Sequence, residues 1–445
     1  MQYNRIMRRM LLFWGLVGVV LMGEAQLWTS PPINFDYDPR CFYSDTTNGQ
    51  LYIGGNFERL DGIPVYGIIS YDGTSWDTLR SDYFTFPVTK ILRFQGKLCV
   101  AGFGGLMIID GANIERIPCD GQIRTLYEYE DKLLVGGLFN VIGGDSINTL
   151  AAWDGNTWSD VHGAQQYFHG LSTSLTDIVE YHGELYIAGN IYGNGNLREI
   201  MRWNGNLWTD VGGGINAGGS AWVNDMEVFN DELVVTGHFF EQGFGPGNCI
   251  AIWDGVAWRA MGDGIPLGQL RNLLVFEGEL YVSGQFTEID GIQASYLAHW
   301  DGQKWCAFGG FLDNATGEMV VYNDEFYVCG GFTYMAGDSI RYLAKWIGGN
   351  HVDTCAVATV GFPETKNQRS TRLLPNPSPF FFSLELPGNT RSADLQIHDV
   401  AGRLVVPAQR YRAGEQVDVA ALPAGLYFVE VRMRDRVETL KFIKL

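Results

Sequence analysis

The chain has 445 residues, 57 of them Gly, with 13% aromatic side chains and a net charge of −19. That length exceeds one simple core, and abundant Gly with period-2 apolar runs argues against a helical or disordered protein. Residues 26–365 carry 16 Lys and Arg against 41 Asp and Glu, while residues 366–445 carry 12 against 8. So acidic a body argues against nucleic acid or anionic membrane as a partner.

Residues 1–25 read as a secretory signal peptide. Arg5, Arg8 and Arg9 form the basic start, Met10 to Met22 is apolar, and Gly23-Glu24-Ala25 places cleavage after Ala25. The apolar run is too short to span a bilayer core of about 30 Å. No later stretch is apolar enough to cross, so the mature chain is expected to lack a transmembrane segment.

A repeat follows. Strands begin at residues 51, 98, 133, 185, 233, 280 and 326, each reading like Leu280-Tyr281-Val282-Ser283-Gly284-Gln285-Phe286. Most are followed by a hairpin of one type, as in Trp153-Asp154-Gly155-Asn156-Thr157-Trp158, Tyr71 to Trp76, Trp203 to Trp208, Trp253 to Trp258 and Trp300 to Trp305. Asp-Gly or Asn-Gly tolerates the positive φ of a tight turn, and the flanking aromatics can pack on neighbouring sheets. In the second unit Ile109-Asp110-Gly111 has lost both aromatics. An apolar strand precedes each start and a short one follows each hairpin, so a unit is four strands in about 47 residues, the size of a propeller blade.

The seventh unit ends at Trp346-Ile347-Gly348-Gly349 with no Trp strand after it, and the mature chain begins Leu27-Trp28-Thr29-Ser30. The N-terminal strand is therefore expected to complete the last blade and close the ring. A Gly pair, then an aromatic, then Trp several residues on resembles kelch repeats and the galactose-oxidase-type propeller over residues 27–350. The fold class expected is all-β: a seven-bladed β-propeller of kelch-like four-stranded blades over residues 26–355. The resemblance carries architecture and not function.

Residues 356–372 read as a linker, and residues 373–445 as a small Ig-like β-sandwich. This last stretch resembles the type A C-terminal sorting domain of the type IX secretion system of Bacteroidota. The landmarks are Pro375-Asn376-Pro377, the turn Asp399 to Gly402, the run Leu422 to Tyr427 with Gly425, and Lys441 to Lys444. Leu374 stands where that family often has Tyr. The resemblance implies the secretion machinery as partner, export across both membranes, and release or attachment at the cell surface.

No catalytic cluster, cofactor motif or metal-ligand spacing is evident; Cys-x-x-Cys and His-x-His are absent. The repeated Asp-Gly pairs read as turn chemistry. Seven cysteines leave at least one unpaired, and Cys41 and Cys355 flank the expected closure as a possible disulfide. Trp222, Phe240 and Phe244, near the longest irregular loops, are candidates for a ligand platform. The leading expectation is a binding protein, not an enzyme, with a glycan or protein ligand. The alternative is a polysaccharide hydrolase or lyase at the central channel. Carboxylates of perturbed acidity meeting Tyr, His or Arg in one pocket would favour the enzyme, and an uncharged aromatic face the binder.

Overall fold

The computed structural model describes residues 27–65, 67–79, 87–168, 173–192, 198–215, 221–240, 246–348, 354–356, 372–374, 380–386, 390–399, 402–433 and 437–444. The signal-peptide reading with Ala25, and also Phe244 and Pro375-Asn376-Pro377, lie outside them. The chain divides into two compact units between residues 358 and 359.

The larger unit is a succession of antiparallel sheets. Pro39–Asp45, Gln50–Gly55, Ile68–Tyr71 and Trp76–Asp77 form one, in chain order. Sheets of the same order begin with Ser174–Tyr181, Trp222–Phe229 and Gln269–Phe276. Between the first and second of these four lies a six-stranded sheet from Val88–Phe94 to Trp158–Asp160. Two of its strands, Lys97–Asp110 and Asn113–Tyr129, are long. The first bends at Gly104, with φ 81°, and the second shifts register between Pro118 and Gln122. Each thereby runs through two successive packing layers. Leu98, Val100 and Met107 pack toward the first sheet, while Cys99, Leu106 and Ile108 pack toward Leu133 and Val135. Second strands such as Glu232–His238 are buried at five consecutive residues. A neighbouring sheet covers each face, so the usual alternation disappears.

The first strand of each layer contacts the first strand of the next. The succession runs through Pro39–Asp45, Val88–Phe94, the second half of Asn113–Tyr129, Ser174–Tyr181, Trp222–Phe229, Gln269–Phe276 and Thr316–Tyr322. Thr316–Tyr322 then touches Pro39–Asp45, and the circuit closes. In the last sheet Trp28–Thr29 pairs with Leu343–Trp346, Trp28 opposite Trp346. The N-terminal strand supplies the strand that the last repeat lacks.

The hairpins are Asx turns. Asp154 Oδ1 accepts the N–H groups of Asn156 and Thr157 at 2.8 Å, and Asp254, Asp301 and Asn204 do the same in their hairpins. These bonds hold the Asp72, Asp154 and Asp254 carboxyls below the usual range. Several of the hairpin Trp residues bond to the neighbouring layer. Trp258 Nε1 donates to Val211 O at 2.8 Å, and Trp305 Nε1 to Met261 O at 2.9 Å. Trp28 Nε1 donates to Gly309 O at 2.8 Å, so the N-terminal Trp takes the hairpin Trp's place. The seat needs glycine: Gly309 has φ 76°, and a Cβ there would lie 2.5 Å from the Trp28 ring.

The expected Cys41–Cys355 bridge is not formed. Cys355 is bonded to Cys306, and Cys41 is buried and free. After the last repeat the chain returns to the outer edge of Trp305–Ala307. There Ala307 N donates to Thr354 O and Ala356 N to Trp305 O, both at 2.8 Å, which sets Cys355 opposite Cys306.

The smaller unit packs a three-stranded sheet, Arg372–Leu374, Phe381–Glu385 and Val417–Asp418, with a four-stranded one. The latter runs in the order Leu404–Arg412, Ser392–Asp399, Gly425–Arg432, Val437–Lys444. Phe382, Leu395, Ile397, Val429, Val431 and Phe442 fill the space between them. Tyr411 Oη bonds to both Leu384 N–H and Leu384 O, joining the two sheets. The Asp399–Gly402 landmark is the turn between two strands: Gly402 N donates to Asp399 O, and the Asp399 carboxylate holds Arg403. Tyr427 Oη donates to Pro423 O at 2.8 Å, tying the Leu-Pro turn to the strand that begins at Gly425. Lys441 lies in the last strand, and Lys444, at its end, is buried.

Candidate functional site

A cavity of about 450 Å³ lies where the first strands meet, on the axis of the circuit. Its construction repeats around the ring. Each first strand carries a β-bulge, where the register against its partner skips a residue. A bulge leaves one residue unpaired and re-aims its side chain. The skipped residues are Arg40, Thr89, Arg124, Thr176, Asn224 and Arg271, with Gly317 and Glu318 in the last strand, and all of them line the cavity.

Side chains of the bulges stitch neighbouring layers together. Thr89 Oγ1 donates to Ile123 O, Thr176 Oγ1 to Val223 O, and Asn224 Nδ2 to Leu270 O, at 2.6–2.7 Å. One residue further on, acceptors take main-chain N–H groups of the next strand. Asp177 accepts from Met226, Asp225 from Leu273, Asn272 from Met319 and Glu318 from Phe42, at 2.7–2.9 Å. A buried N–H without a partner costs about 1–3 kcal/mol, so these bonds hold the ring as they line it.

The charges separate into two layers. Asp177, Asp225 and Glu318 lie deeper, with Lys90 Nζ 2.8 Å from Glu318 Oε1. That carboxylate raises the Lys90 ammonium well above its usual value, against the pull of burial. Burial pushes Asp177 up to about 6, and Asp225 is raised by burial and by Asp177 beside it. At the mouth stand Arg40, Arg124 and Arg271. Arg40 pairs with Asp38 at 3.8 Å and Arg124 Nε donates to Gln122. Arg271 makes no hydrogen bond or ion pair among the described residues. Burial among protein groups lowers the Arg124 and Arg271 values.

A stability prediction follows from Asp177. In the folded ring it keeps a proton that the unfolded chain releases near pH 4. The folded state therefore loses ground as pH rises from about 4 to about 6 and does not regain it above. Asp177→Asn is expected to melt with wild type near pH 4 and several degrees above it at pH 8. Asn272 already performs the same latch in the next strand. Melting curves at the two pH values decide; an equal shift at both would show that ionisation is not the cause.

The proposed aromatic platform is placed elsewhere. Trp222 stacks on His238 at 4.3 Å, and His238 meets Phe240 edge-on at 5.1 Å. Phe240 packs against the adjacent core, and neither it nor Trp222 lines the cavity. Asp301, Cys306 and Cys355 lie close enough to suggest a metal, but the two sulfurs are bonded to each other. The cavity residues carry a signal in the sequence that motif reading passes over. In six units the bulged residue lies nine positions before the second-strand start, as Arg271 does before Leu280.

Residues 372–445 match the family described as the secretion system C-terminal sorting domain. That domain carries the protein across the outer membrane, to be secreted or attached to the surface. No helix among the described residues is long and apolar enough to cross a membrane. No curated protein matches the chain. Among solved structures it is similar to the extracellular domain of the putative one component system BT4673 from B. thetaiotaomicron, at 11% identity and a TM-score of 0.47. That likeness covers 95% of this chain and 60% of the other, so the chain spans less than two thirds of that structure's length. It is also similar to the β-propeller domain of Myceliophteria thermophila Cps50 (Swd1), at 12% identity and a TM-score of 0.37, over 72% of this chain and 99% of that one.

Proposed function

We propose that the chain is an exported binding protein, a seven-bladed kelch-like propeller over residues 26–355 whose ligand enters the axial cavity. Reading the six-stranded sheet as two blades joined edge to edge makes seven, and this agrees with seven strand starts in the sequence. The observation that carries the binding reading is the occupation of the cavity carboxylates. Asp177, Asp225 and Glu318 each already accept a main-chain N–H from the next strand. Acids tied into the framework hold a ring together; they are poorly placed to move protons for a substrate.

A second reading, a hydrolase or lyase of polysaccharide, is favoured by one feature. Two carboxyls of raised pKa adjoin arginines in one cavity, the pattern set out above for an enzyme. The two readings separate on a glycan and protein array with the mature protein, followed by product analysis of every glycan bound. Binding without cleavage, lost when Ala315→Trp plugs the rim, is the expected result. Cleavage abolished by Asp225→Asn would establish the enzyme, and a bound ligand indifferent to the plug would move the site off the axis.

A further inference from the structure

The mouth of the cavity is cationic within a body that is strongly acidic. In ring order the bulged residues are Arg40, Thr89, Arg124, Thr176, Asn224, Arg271 and Gly317. The arginines stand in the first, third and sixth positions, and so approach the axis from three sides at one level. The four positions between them are small. Long guanidinium side chains thus have open space before them, and nothing on the far wall clashes. Neutralisation of this group is incomplete: Arg40 pairs with Asp38, but Arg124 has only an amide oxygen, and Arg271 makes no hydrogen bond or ion pair among the described residues and feels Asp38 only at a distance. Guanidinium groups held among protein groups without a counter-charge are costly, and an oxyanion relieves that cost with paired, directional bonds.

The rest of the wall narrows the ligand. Beyond the arginines lie Thr89, Thr176, Asn224, Asn272 and glycines, with carboxylates below. Among the lining residues none is aromatic, and aliphatic surface is limited to small residues such as Pro39 and Ala315. Hydroxyls can reach the remaining lone pairs of these carboxylates and amides. An anion without hydroxyl donors would face the acidic floor with nothing to offer it.

On the reading that the axial cavity binds the ligand, we propose that Arg40, Arg124 and Arg271 take the carboxylate of a sugar acid, a uronate unit whose hydroxyls face the acidic floor. The volume of about 450 Å³ admits one or two sugar rings.

The test is titration calorimetry of the mature protein with D-glucuronate, D-glucose and inorganic phosphate at two salt concentrations. D-Glucuronate is expected to bind, more weakly at high salt, with D-glucose at least tenfold weaker. Arg271→Ala and Arg124→Ala are each expected to cost at least tenfold in D-glucuronate affinity. Arg271 makes no hydrogen bond or ion pair among the described residues, so its variant should melt with wild type, and lost binding cannot then be laid to misfolding. Equal binding of D-glucose, binding of phosphate in preference to D-glucuronate, or indifference to both Arg variants would overturn the assignment. An array glycan blocked by Ala315→Trp but indifferent to the Arg variants would remove the carboxylate and leave the axial site standing. A ligand that ignores the plug would remove both.

Discussion

A chain ending at residue 371 is expected to disappear from the cell surface and the medium and to accumulate inside the cell. Residues 372–445 match a sorting domain and carry their own core, from Leu373 through Phe382 and Tyr427 to Phe442. Among the described residues, every member of that core lies between Leu373 and Phe442. The truncated protein should therefore fold, and its loss from the surface should be a failure of transport and not of stability. Fractionation followed by immunoblotting measures the first, and the melting temperature of the purified truncated protein the second. A truncated chain that still reaches the surface would mean that another segment carries the export signal.

Trp28→Ala is expected to be the most damaging single substitution in the ring. Trp28 is 0% exposed, pairs with Trp346, donates to Gly309 O and contacts Phe308, Phe326 and Trp346 edge-on. Removing a buried Trp side chain costs about 3–5 kcal/mol, an effect of about 6–20 °C in melting temperature at roughly 2–4 °C per kcal/mol. The position adds a topological cost. The other hairpin Trp residues are bound on both sides by their own chain, but the strand holding Trp28 is two residues long and, with the expected cleavage after Ala25, starts the mature chain. Once its anchor is gone it can leave the ring and expose the edge of Leu343–Trp346. Trp76→Ala is the control. Trp76 is half-buried and stacks on Tyr71 within its own hairpin, so less than half the effect is expected. Calorimetry of both variants compares them, and equal losses would refute a special role for closure.

The sequence by itself determined what depends on local chemistry. An Asp-Gly pair flanked by aromatics on both sides makes a local Asx turn, so Asp154 and Asp254 announced their hairpins without help from the rest of the fold. The spacing of those hairpins and the unmatched Trp28 were enough to anticipate closure. The sorting domain was legible for the same reason, since turns such as Asp399 to Gly402 are recognised over a few residues. Tertiary structure alone decided the rest. Cys355 is held by Cys306 and not by Cys41 because the chain doubles back onto an outer sheet edge, a path that no local preference encodes. Arg40, Arg124 and Arg271 become neighbours only when a bulge in each first strand turns them to one axis. A bulge is a change in register between two strands, and register belongs to the pair and not to either sequence. For the same reason the threonines and arginines of the first strands, which form the cavity, stand in no local motif that marks them.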